Sequence, residues 1–529
     1  MQRNKDGEQN WYKRFGRFSL AILLSSGVIG AQSFEDFKNS QAKSFAQYKD
    51  ERDAAFSSYL KEQWKEYNAQ MSKPLYEKPK PKNIIPAKIR KIEEVGPRVH
   101  IVVKPIKEKI KVAKVIAPIQ KKEIEEKIKP IEKELEEKKS QPIIKVVVIE
   151  PVVKAIKEVE LELVEVMKKD VDLNFYGSSL GFIISQTIKD AKYYPQNQEG
   201  VANFFNAMAS SEYEDLILSI KTIKKDMKLN DWAVYLLVKD IAQKVFFNPD
   251  EVNLFSWFIF NKLGYDVKVG LASKHVILMH YSKKLIYSTP NYTFSKRKFY
   301  VVSHYAKGKV GSLYTYKQSY PDATKPLDLS LKVLPNFKET LKTKTVSFKQ
   351  YGKTYNSTYE YNQNIIDFMA TYPQADYETY FNAPLDERTY SAIAQDIKKY
   401  IDGKKASVAM NFVLNFVQNA FDYEVDDKQF GREKVMFAQE TLYFNKSDCE
   451  DRAILYSYLM KELFHVSVVG VKYSDHMATA LYIPMKGDSV KDGRRKYVIA
   501  DPTYINANIG MSMPKYKSVI PDSFVVVKE

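Results

Sequence analysis

The chain contains 529 residues, of which 44% are apolar and 13% aromatic, so it is long enough to hold more than one domain with a sizeable core. Its net charge is +17, but the basic region over residues 73–170 does not interleave aromatic with basic residues, and this argues against nucleic-acid binding. One cysteine and six scattered histidines make no ligand cluster at zinc spacing, so we expect no metal and no other cofactor.

Residues 1–31 have the pattern of a secretory signal. Basic residues, including Arg14 and Arg17, precede an apolar run from Phe18 to Ala31. The run is shorter than the roughly twenty residues that span a bilayer. We therefore expect a periplasmic or secreted protein, with the signal either cleaved or kept as an inner-membrane anchor. A single unpaired cysteine in such an oxidising compartment indicates chemistry at the thiol.

Residues 32–72 repeat with a period of eleven, which brings Phe34, Phe45, Phe56 and Tyr67 into register. Eleven residues make three helical turns, so these aromatic residues predict one face of an amphipathic helix. Such a face needs a partner. Its own domain, a second copy of the chain and an envelope protein all remain open as that partner.

Residues 73–170 are rich in Lys, Glu and Pro, and aromatic residues are absent from Glu77 to Asn174. A segment of this composition supplies little hydrophobic core, so the pattern predicts a semi-extended linker with short helices. We expect added protease to cut there first and to release a resistant fragment that begins near Asp170. The next domains are predicted over residues 171–298 and 299–385.

The region over residues 299–385 begins with alternating apolar and polar residues. Leu313-Tyr314-Thr315-Tyr316 and Val346-Ser347-Phe348 show this alternation, which is typical of antiparallel strands. We therefore predict a small β module that separates two larger helix-plus-strand regions.

The only cysteine, Cys449, opens an apolar segment within the last predicted domain, residues 386–529. Apolar residues follow it at three- and four-residue spacing, so a helix should begin near Asp448, a good N-cap residue. Backbone N–H groups and the helix dipole favour a thiolate in the first turn, which predicts a lowered pKa for Cys449. The polar neighbours Glu450 and Arg452 argue against an ordinary core cysteine.

Three segments, SDCEDRA, DHMATA and IADPTY, carry Cys449, His476 and Asp501 in that order. They resemble the motifs of the transglutaminase-like superfamily of papain-like cysteine enzymes, which has a GDC-type helix start, a His followed by small residues, and a DPT-type strand end. Ser447 departs from the glycine that is frequent at that position. The resemblance covers roughly residues 386–510.

The resemblance implies a role for each residue. Cys449 would be the nucleophile, His476 the general base and acid, and Asp501 the residue that orients the imidazole. Gln418, in the preceding apolar helix, is a candidate oxyanion donor. The implied fold is α+β, with the Cys-bearing helix packed on an antiparallel sheet.

Residues 171–298 look like a degenerate copy of this core. Leu263, Val269 and Gly270 match Leu463, Val469 and Gly470 at a constant offset. In the same alignment Pro249 takes the place of the cysteine, His275 that of the histidine and Thr289 that of the aspartate. The copy would have the fold without the chemistry, while a chance likeness between two helix-plus-strand units is the alternative.

The function expected from the resemblance is acyl transfer at protein or peptide amide bonds of the cell envelope through a cysteine thioester. Hydrolysis is favoured over crosslinking because an open cleft admits water. The alternative from another class is a non-catalytic envelope scaffold that uses both copies as binding modules on a tether. Thiol reactivity would separate the two interpretations.

Overall fold

The computed structural model describes residues 47, 49–62, 64–103, 170–304, 310–350 and 352–528. The chain divides into two compact units, residues 1–54 and 55–529. The described residues of the first unit are helical. The predicted signal over residues 1–31 lies outside the described part of the chain. Within the described ranges, no helix is both long enough and apolar enough to cross a bilayer.

The second unit is mixed α+β, as predicted. A helix over residues 49–60 ends in this unit, which begins at residue 55. The other helices of the unit are Gln186–Lys189, Gln198–Ala209, Glu214–Asp226, Asp231–Val245, Pro249–Lys262, Gln363–Ala370, Tyr377–Phe381, Glu387–Ile401, Ala406–Asn419, Asp426–Phe430, Ala438–Tyr443 and Cys449–Phe464. Its strands are β1 Lys65–Tyr67, β2 Gln70–Met71, β3 Val171–Phe175, β4 Ser178–Phe182, β5 Val267–Ala272, β6 His275–Tyr281, β7 Pro290–Phe294, β8 Arg297–Tyr300, β9 Leu313–Thr315, β10 Leu341–Gln350, β11 Lys353–Asn362, β12 Asp422–Tyr423, β13 Lys446–Ser447, β14 Val468–Lys472, β15 Met477–Leu481, β16 Ser489–Asp492, β17 Arg495–Ala500 and β18 Ser523–Val526.

Two antiparallel sheets organise the unit. The first has seven strands in the order β1-β9-β5-β6-β8-β7-β2, and the second has five in the order β16-β17-β15-β14-β18. The helix Pro249–Lys262, called here the Pro249 helix, packs on β5 and β6. The helix Cys449–Phe464, called here the Cys449 helix, packs on β14 and β15. Each sheet is thus covered by a helix that immediately precedes its central strands.

The two halves share one topology. In each, a helix is followed by four antiparallel strands in the spatial order first, second, fourth, third, and a later strand joins the edge beside the first. Gly270 and Gly470 occupy equivalent places next to that later strand. An added Cβ would lie 2.6 Å from a Leu313 methyl carbon at the first glycine and 2.7 Å from the Phe381 ring at the second. The predicted helix-on-sheet core in residues 230–295 is therefore present.

Strand pairing corrects part of the predicted alignment. Pro249 is the first residue of its helix, as Cys449 is of its own, so this match stands. Thr289 precedes β7, whereas Asp501 follows β17, whose counterpart β8 ends at Tyr300. Thr479 pairs with Ala500 and His280 with Tyr300, and the same register carried along the chain from Tyr300 places His304 at the position of Asp501.

His275 also does not occupy the position of His476. Gly270 pairs with Ile277 and Gly470 with Thr479, so the register places His275 opposite Ala272, as Met477 lies opposite Lys472. A shift of one residue in a strand moves a side chain to the other face. The His275 side chain is 79% exposed, whereas that of His476 is 1% exposed.

The predicted helix over residues 32–72 ends earlier than its repeat. The helix stops at residue 60, and β1 pairs with β9 at the edge of the first sheet. An open sheet edge offers unpaired backbone groups, and pairing with them outweighs the helical periodicity at Tyr67. Phe56 is buried, with its ring centroid 5.2 Å from those of Phe205 and Tyr320. Phe34 and Phe45 lie outside the described residues.

The region predicted as a β module is divided between two places. Strand β9 joins the first sheet, while β10 and β11 form a separate hairpin. Phe348 of that hairpin lies against Phe412 and Phe416, with ring centroids 5.4 and 5.3 Å away. The hairpin therefore packs on the helix Ala406–Asn419.

Residues 72–103, called here the strap, differ from the solvated linker predicted from residue 73 onward. Their backbone N–H groups bond to distant carbonyls: Lys78 to Ser474, Ala87 to Ile505 and Val99 to Lys404, at 3.3, 2.8 and 2.9 Å. A segment without a core of its own can still be ordered when its neighbours satisfy its backbone in this way. Leu75, Tyr76, Ala87 and Ile101 are buried. Residues 104–169 lie outside the described residues.

Candidate active site

The Cys449 helix begins where the sequence predicts. Asp448 is the N-cap, and its backbone N–H donates to Asp451 Oδ2 at 3.2 Å. The other oxygen of Asp451 accepts the backbone N–H of Met436 at 2.8 Å. This capping orients the first turn and fixes Cys449 at its first position.

A fully buried arginine locks the helix against its neighbours. Arg452 donates from Nε to Ser447 Oγ at 3.1 Å, and from Nη1 and Nη2 to the carbonyls of Gln418 and Phe421 at 3.2 and 2.7 Å. These bonds connect the start of the Cys449 helix to the end of the helix Ala406–Asn419. The position of the thiol thus depends on contacts among three chain segments.

His476 and Asp501 form a buried pair. His476 Nε2 lies 2.9 Å from Asp501 Oδ2, and Asp501 Oδ1 accepts the backbone N–H of Thr503 at 2.9 Å. The imidazole stacks on Tyr516, with centroids 4.8 Å apart and planes inclined by 19°. Its other nitrogen, Nδ1, is buried and has no hydrogen-bond partner among the described residues. That nitrogen is available to accept a proton.

Gln418 holds the loop behind Asp501. Its Nε2 donates to the carbonyls of Asp501, Tyr504 and Ala507 at 3.1, 2.8 and 3.1 Å. Both N–H bonds of the amide are therefore committed to backbone carbonyls, which leaves none for an oxyanion. The geometry favours a positioning role over the predicted oxyanion role.

The structure pairs His476 with Asp501, but no hydrogen bond among the described residues joins the thiol to the imidazole. The Cys449 helix packs on β14 and β15, the strands on either side of the turn that carries His476. The Tyr516 hydroxyl donates to Asp475 Oδ1 at 3.1 Å, and burial and the nearby Asp475 raise the pKa of Tyr516 above its usual value. The Cys449 thiol instead donates to Glu450 Oε2 at 3.1 Å.

The strap covers this thiol. The hydroxyl of Tyr76 donates to Glu450 Oε2 at 3.1 Å and lies 3.8 Å from Cys449 Sγ. The ammonium of Lys80 contacts Glu450 Oε1 at 2.7 Å and also bonds to Asp448. Cys449 has no exposed surface as a result.

Electrostatics in this closed arrangement oppose the predicted activation of the thiol. Burial, with added repulsion from Glu450 and Asp448, raises the pKa of Cys449 well above its usual value. A helix N-terminus stabilises an anion by about 0.3–1 kcal/mol, which is less than about one pKa unit. Desolvation and two carboxylates outweigh that effect, so the lowered pKa predicted from the helix start is wrong for this arrangement.

Cys449 in the native chain should react with iodoacetamide at about pH 7.5 at least about tenfold more slowly than a cysteine in an unstructured peptide, because the thiolate is disfavoured and covered. The time course of mass increase in the intact protein measures this rate. The same chain unfolded in guanidinium should react at the peptide rate. Equal rates in the folded and unfolded chain would show that the strap does not cover the thiol in solution.

Four carboxylates surround the Lys80 ammonium: Asp426, Glu433, Asp448 and Glu450, called here the carboxylate pocket. Oxygens of several of these groups lie within 4.8 Å of one another, as they would around a metal ion. The Lys80 ammonium occupies the position where such a cation would be held. Burial opposes its charge, but Asp448 and Glu450 raise the pKa of Lys80 well above its usual value.

The carboxylates of the pocket do not all share one protonation state. Burial opposes ionisation of Glu450, but the Lys80 ammonium and several hydrogen bonds lower its pKa to about 2. Burial and the Glu450 charge raise the pKa of Glu433 to about 8 and that of Asp426 to about 6. Near neutral pH the ammonium is therefore paired with the ionised Glu450 and Asp426, while Glu433 is protonated.

The Glu433→Gln chain should lose less stability between about pH 6 and pH 9 than the unmodified chain. A carboxyl group whose pKa is raised on folding stabilises the folded state below its unfolded pKa, and this contribution is lost as the pH rises through about 8. We expect the thermal midpoint of the unmodified chain to fall by about 1–3 °C more than that of the variant. Parallel pH profiles of the two midpoints would contradict this assignment to Glu433, which faces Lys80, Asp426 and Glu450.

Sequence reasoning missed the residues that close the site. Tyr76 and Lys80 lie at the start of a segment of linker-like composition, more than 340 residues before the groups they contact. Tyr76 was the one available signal, since an aromatic residue directly before a long aromatic-free stretch is a candidate for burial. Lys80 carries no such signal, because its sequence neighbours are other lysines and prolines.

The chain matches no known family model, no curated protein and no solved structure. The transglutaminase-like resemblance therefore rests on the three motifs alone.

Proposed function

We propose that this protein is an exported cysteine enzyme of transglutaminase-like type that performs acyl transfer at amide bonds of proteins or peptides in the cell envelope. The observation that carries the proposal is the buried pair of His476 and Asp501, whose His476 Nδ1 has no hydrogen-bond partner in the described part of the chain, together with a helix that begins with the only cysteine of the sequence. A buried imidazole held at one nitrogen and free at the other is the arrangement that a general base requires.

The chemistry follows from these groups. His476 Nδ1 takes the proton of the Cys449 thiol, and the sulfur attacks the carbonyl carbon of the amide. The tetrahedral intermediate collapses when the imidazolium returns its proton to the leaving amine, and a thioester remains. Water, deprotonated by His476, then attacks the thioester and releases a carboxylic acid and the free thiol. In this sequence Asp501 keeps the imidazole in the tautomer that has Nδ1 free.

Hydrolysis and transamidation can be distinguished by one experiment. Envelope proteins treated with the active chain in ¹⁸O-labelled water should acquire new carboxyl groups that contain ¹⁸O, detected by mass spectrometry. Crosslinks formed with loss of ammonia, and without ¹⁸O incorporation, would favour transamidation instead. Neither product in a chain shown to have an accessible thiol would contradict the proposed enzyme.

A non-catalytic envelope scaffold is the second candidate, and one observation favours it. Cys449 lies completely buried beneath the strap and its pKa is raised, which is the environment of an inert structural thiol. The scaffold has no use for a buried His-Asp pair with a free nitrogen, whereas the enzyme needs one. Substitution of Cys449 by serine would leave a scaffold fully functional and would disable the enzyme.

A further inference from the structure

The carboxylate pocket is a built cation site next to the candidate nucleophile. The Lys80 Nζ lies 2.9 Å from Asp426 Oδ2, 2.6 Å from Glu433 Oε1 and 2.7 Å from Glu450 Oε1. Its side chain is only 4% exposed, and the ammonium also lies 5.0 Å from the Tyr76 ring centroid. Glu450 belongs to the pocket and also accepts a hydrogen bond from the Cys449 thiol. The pocket and the candidate active site thus share a residue.

The cation in this pocket comes from a different part of the chain. The carboxylates lie on the Cys449 helix start and on the segment from Asp426 to Glu433, whereas Lys80 is on the strap. Around Lys80 the strap is held at both sides: the Lys78 N–H donates to the Ser474 carbonyl, and the Tyr423 hydroxyl donates to the Pro81 carbonyl at 2.6 Å. A peptide segment therefore lies across the candidate site and inserts a lysine side chain.

A substrate that approaches the thiol from the side of the strap must use the same space. Cys449 has no exposed surface, and the Tyr76 hydroxyl lies 3.8 Å from its Sγ, so a substrate strand that reaches Sγ from this side takes the place of the strap. Glu450 and Asp426, the ionised members of the pocket, would then face the substrate without their cation. Buried carboxylates without a partner are costly, so the pocket selects for a cationic group in whatever peptide replaces the strap.

We propose that the carboxylate pocket is a subsite that recognises a lysine side chain of a peptide substrate, and that strap residues 74–82 occupy it as an internal surrogate. This inference rests on the proposed function and names its substrate class. The bound ammonium stays protonated among the carboxylates and cannot attack a thioester. The lysine is therefore recognised rather than acylated, and water remains the acyl acceptor.

The strap belongs to the same chain as the pocket, so it competes with a free peptide for the pocket as a tethered ligand. A tethered occupant competes at an effective concentration on the order of millimolar. A peptide supplied from solution must therefore be present at millimolar concentration, or the strap must lose the two side chains that hold it in place. Both routes lead to a test.

The first test measures peptide binding by fluorescence anisotropy. The probe is a labelled peptide with the sequence of residues 74–84, and the receptor is the full chain with Tyr76→Ala and Lys80→Ala. The full chain with Lys78→Ala, an exposed lysine of the same strap, is the matched control. We expect at least tenfold tighter binding to the double variant than to the control. A Lys80→Met form of the peptide should bind the double variant at least tenfold more weakly than the lysine form.

A second measurement needs no variant and covers the case in which the double variant does not fold. At millimolar concentration the lysine peptide should accelerate hydrogen exchange of the Lys78 backbone amide in the unmodified chain at least threefold, and the Lys80→Met peptide should not. Equal effects of the two peptides, in either measurement, would overturn the lysine subsite and leave Lys80 a purely structural cation. Lysine-dependent binding that persists in a chain without any amidase turnover would instead refute the proposed function alone.

Discussion

The Cys449→Ala and His476→Ala variants should each reduce amide-bond turnover by about three orders of magnitude or more, because nucleophile and base act as one unit. Asp501→Asn should cause a loss of similar order. An asparagine amide would donate to His476 Nε2, which moves the imidazole proton to Nδ1 and removes the base. Single-turnover kinetics on a peptide cleaved by the unmodified chain measure these effects.

His275→Ala is the matched control for the triad variants. His275 is exposed, contacts Asp250 at 3.3 Å and occupies the position of Met477 in the first half of the molecule, so its loss should leave turnover unchanged within about twofold. Circular dichroism should show that all four variants keep their secondary structure. Turnover that survives in the Cys449→Ala chain would refute the cysteine-enzyme proposal, and a large loss in His275→Ala would assign the first half a role in catalysis.

Arg452→Met should lower the free energy of unfolding by about 3–5 kcal/mol. Methionine fills much of the same volume, but two carbonyls and the Ser447 hydroxyl would lose their donors inside the protein, at about 1–3 kcal/mol for each unsatisfied group. The variant also no longer buries a charged guanidinium, and the desolvation free energy saved in this way offsets part of the loss. Equilibrium unfolding in guanidinium chloride, followed by circular dichroism, measures the difference.

Arg494→Met provides the comparison for this stability measurement. Arg494 is exposed in the turn between β16 and β17, so its substitution should change the free energy of unfolding by less than about 0.5 kcal/mol. A difference between the two variants below about 1 kcal/mol would mean that the three Arg452 hydrogen bonds do not hold the Cys449 helix. The Arg452→Met chain should also show faster iodoacetamide labelling, because the helix start loses its anchor.

Local signals predicted the elements that carry the candidate site. Asp448 as N-cap and apolar residues at helical spacing are short-range patterns, and short-range physics decides where such a helix begins. The pairing of His476 with Asp501 was implied by the family resemblance of the three motifs. The shared topology of the two halves was predicted as well, because Pro249 suits the first turn of a helix and the apolar pattern persists around it.

Errors arose where partners are distant in the chain. Thr289 and His275 were matched by sequence order, but strand pairing decides equivalence, and one residue of register reverses the face of a side chain. Gln418 was predicted as an oxyanion donor, but in the structure its side-chain N–H groups donate to carbonyls of Asp501 and of the loop that follows it. The end of the N-terminal helix was missed because β1 finds its partner in β9, some 250 residues away.

The sequence by itself determined the α+β class and the start of the Cys449 helix, since each depends on neighbours a few positions apart. The candidates Cys449, His476 and Asp501 came from the family resemblance of three short motifs. Only the tertiary structure decided the state of the site. The strap has no core-forming composition, yet it is ordered by backbone hydrogen bonds to distant carbonyls and by one lysine among four carboxylates. Burial beneath that strap reverses the pKa shift expected for Cys449, because desolvation and neighbouring charge depend on what covers the thiol and not on where it stands in its helix.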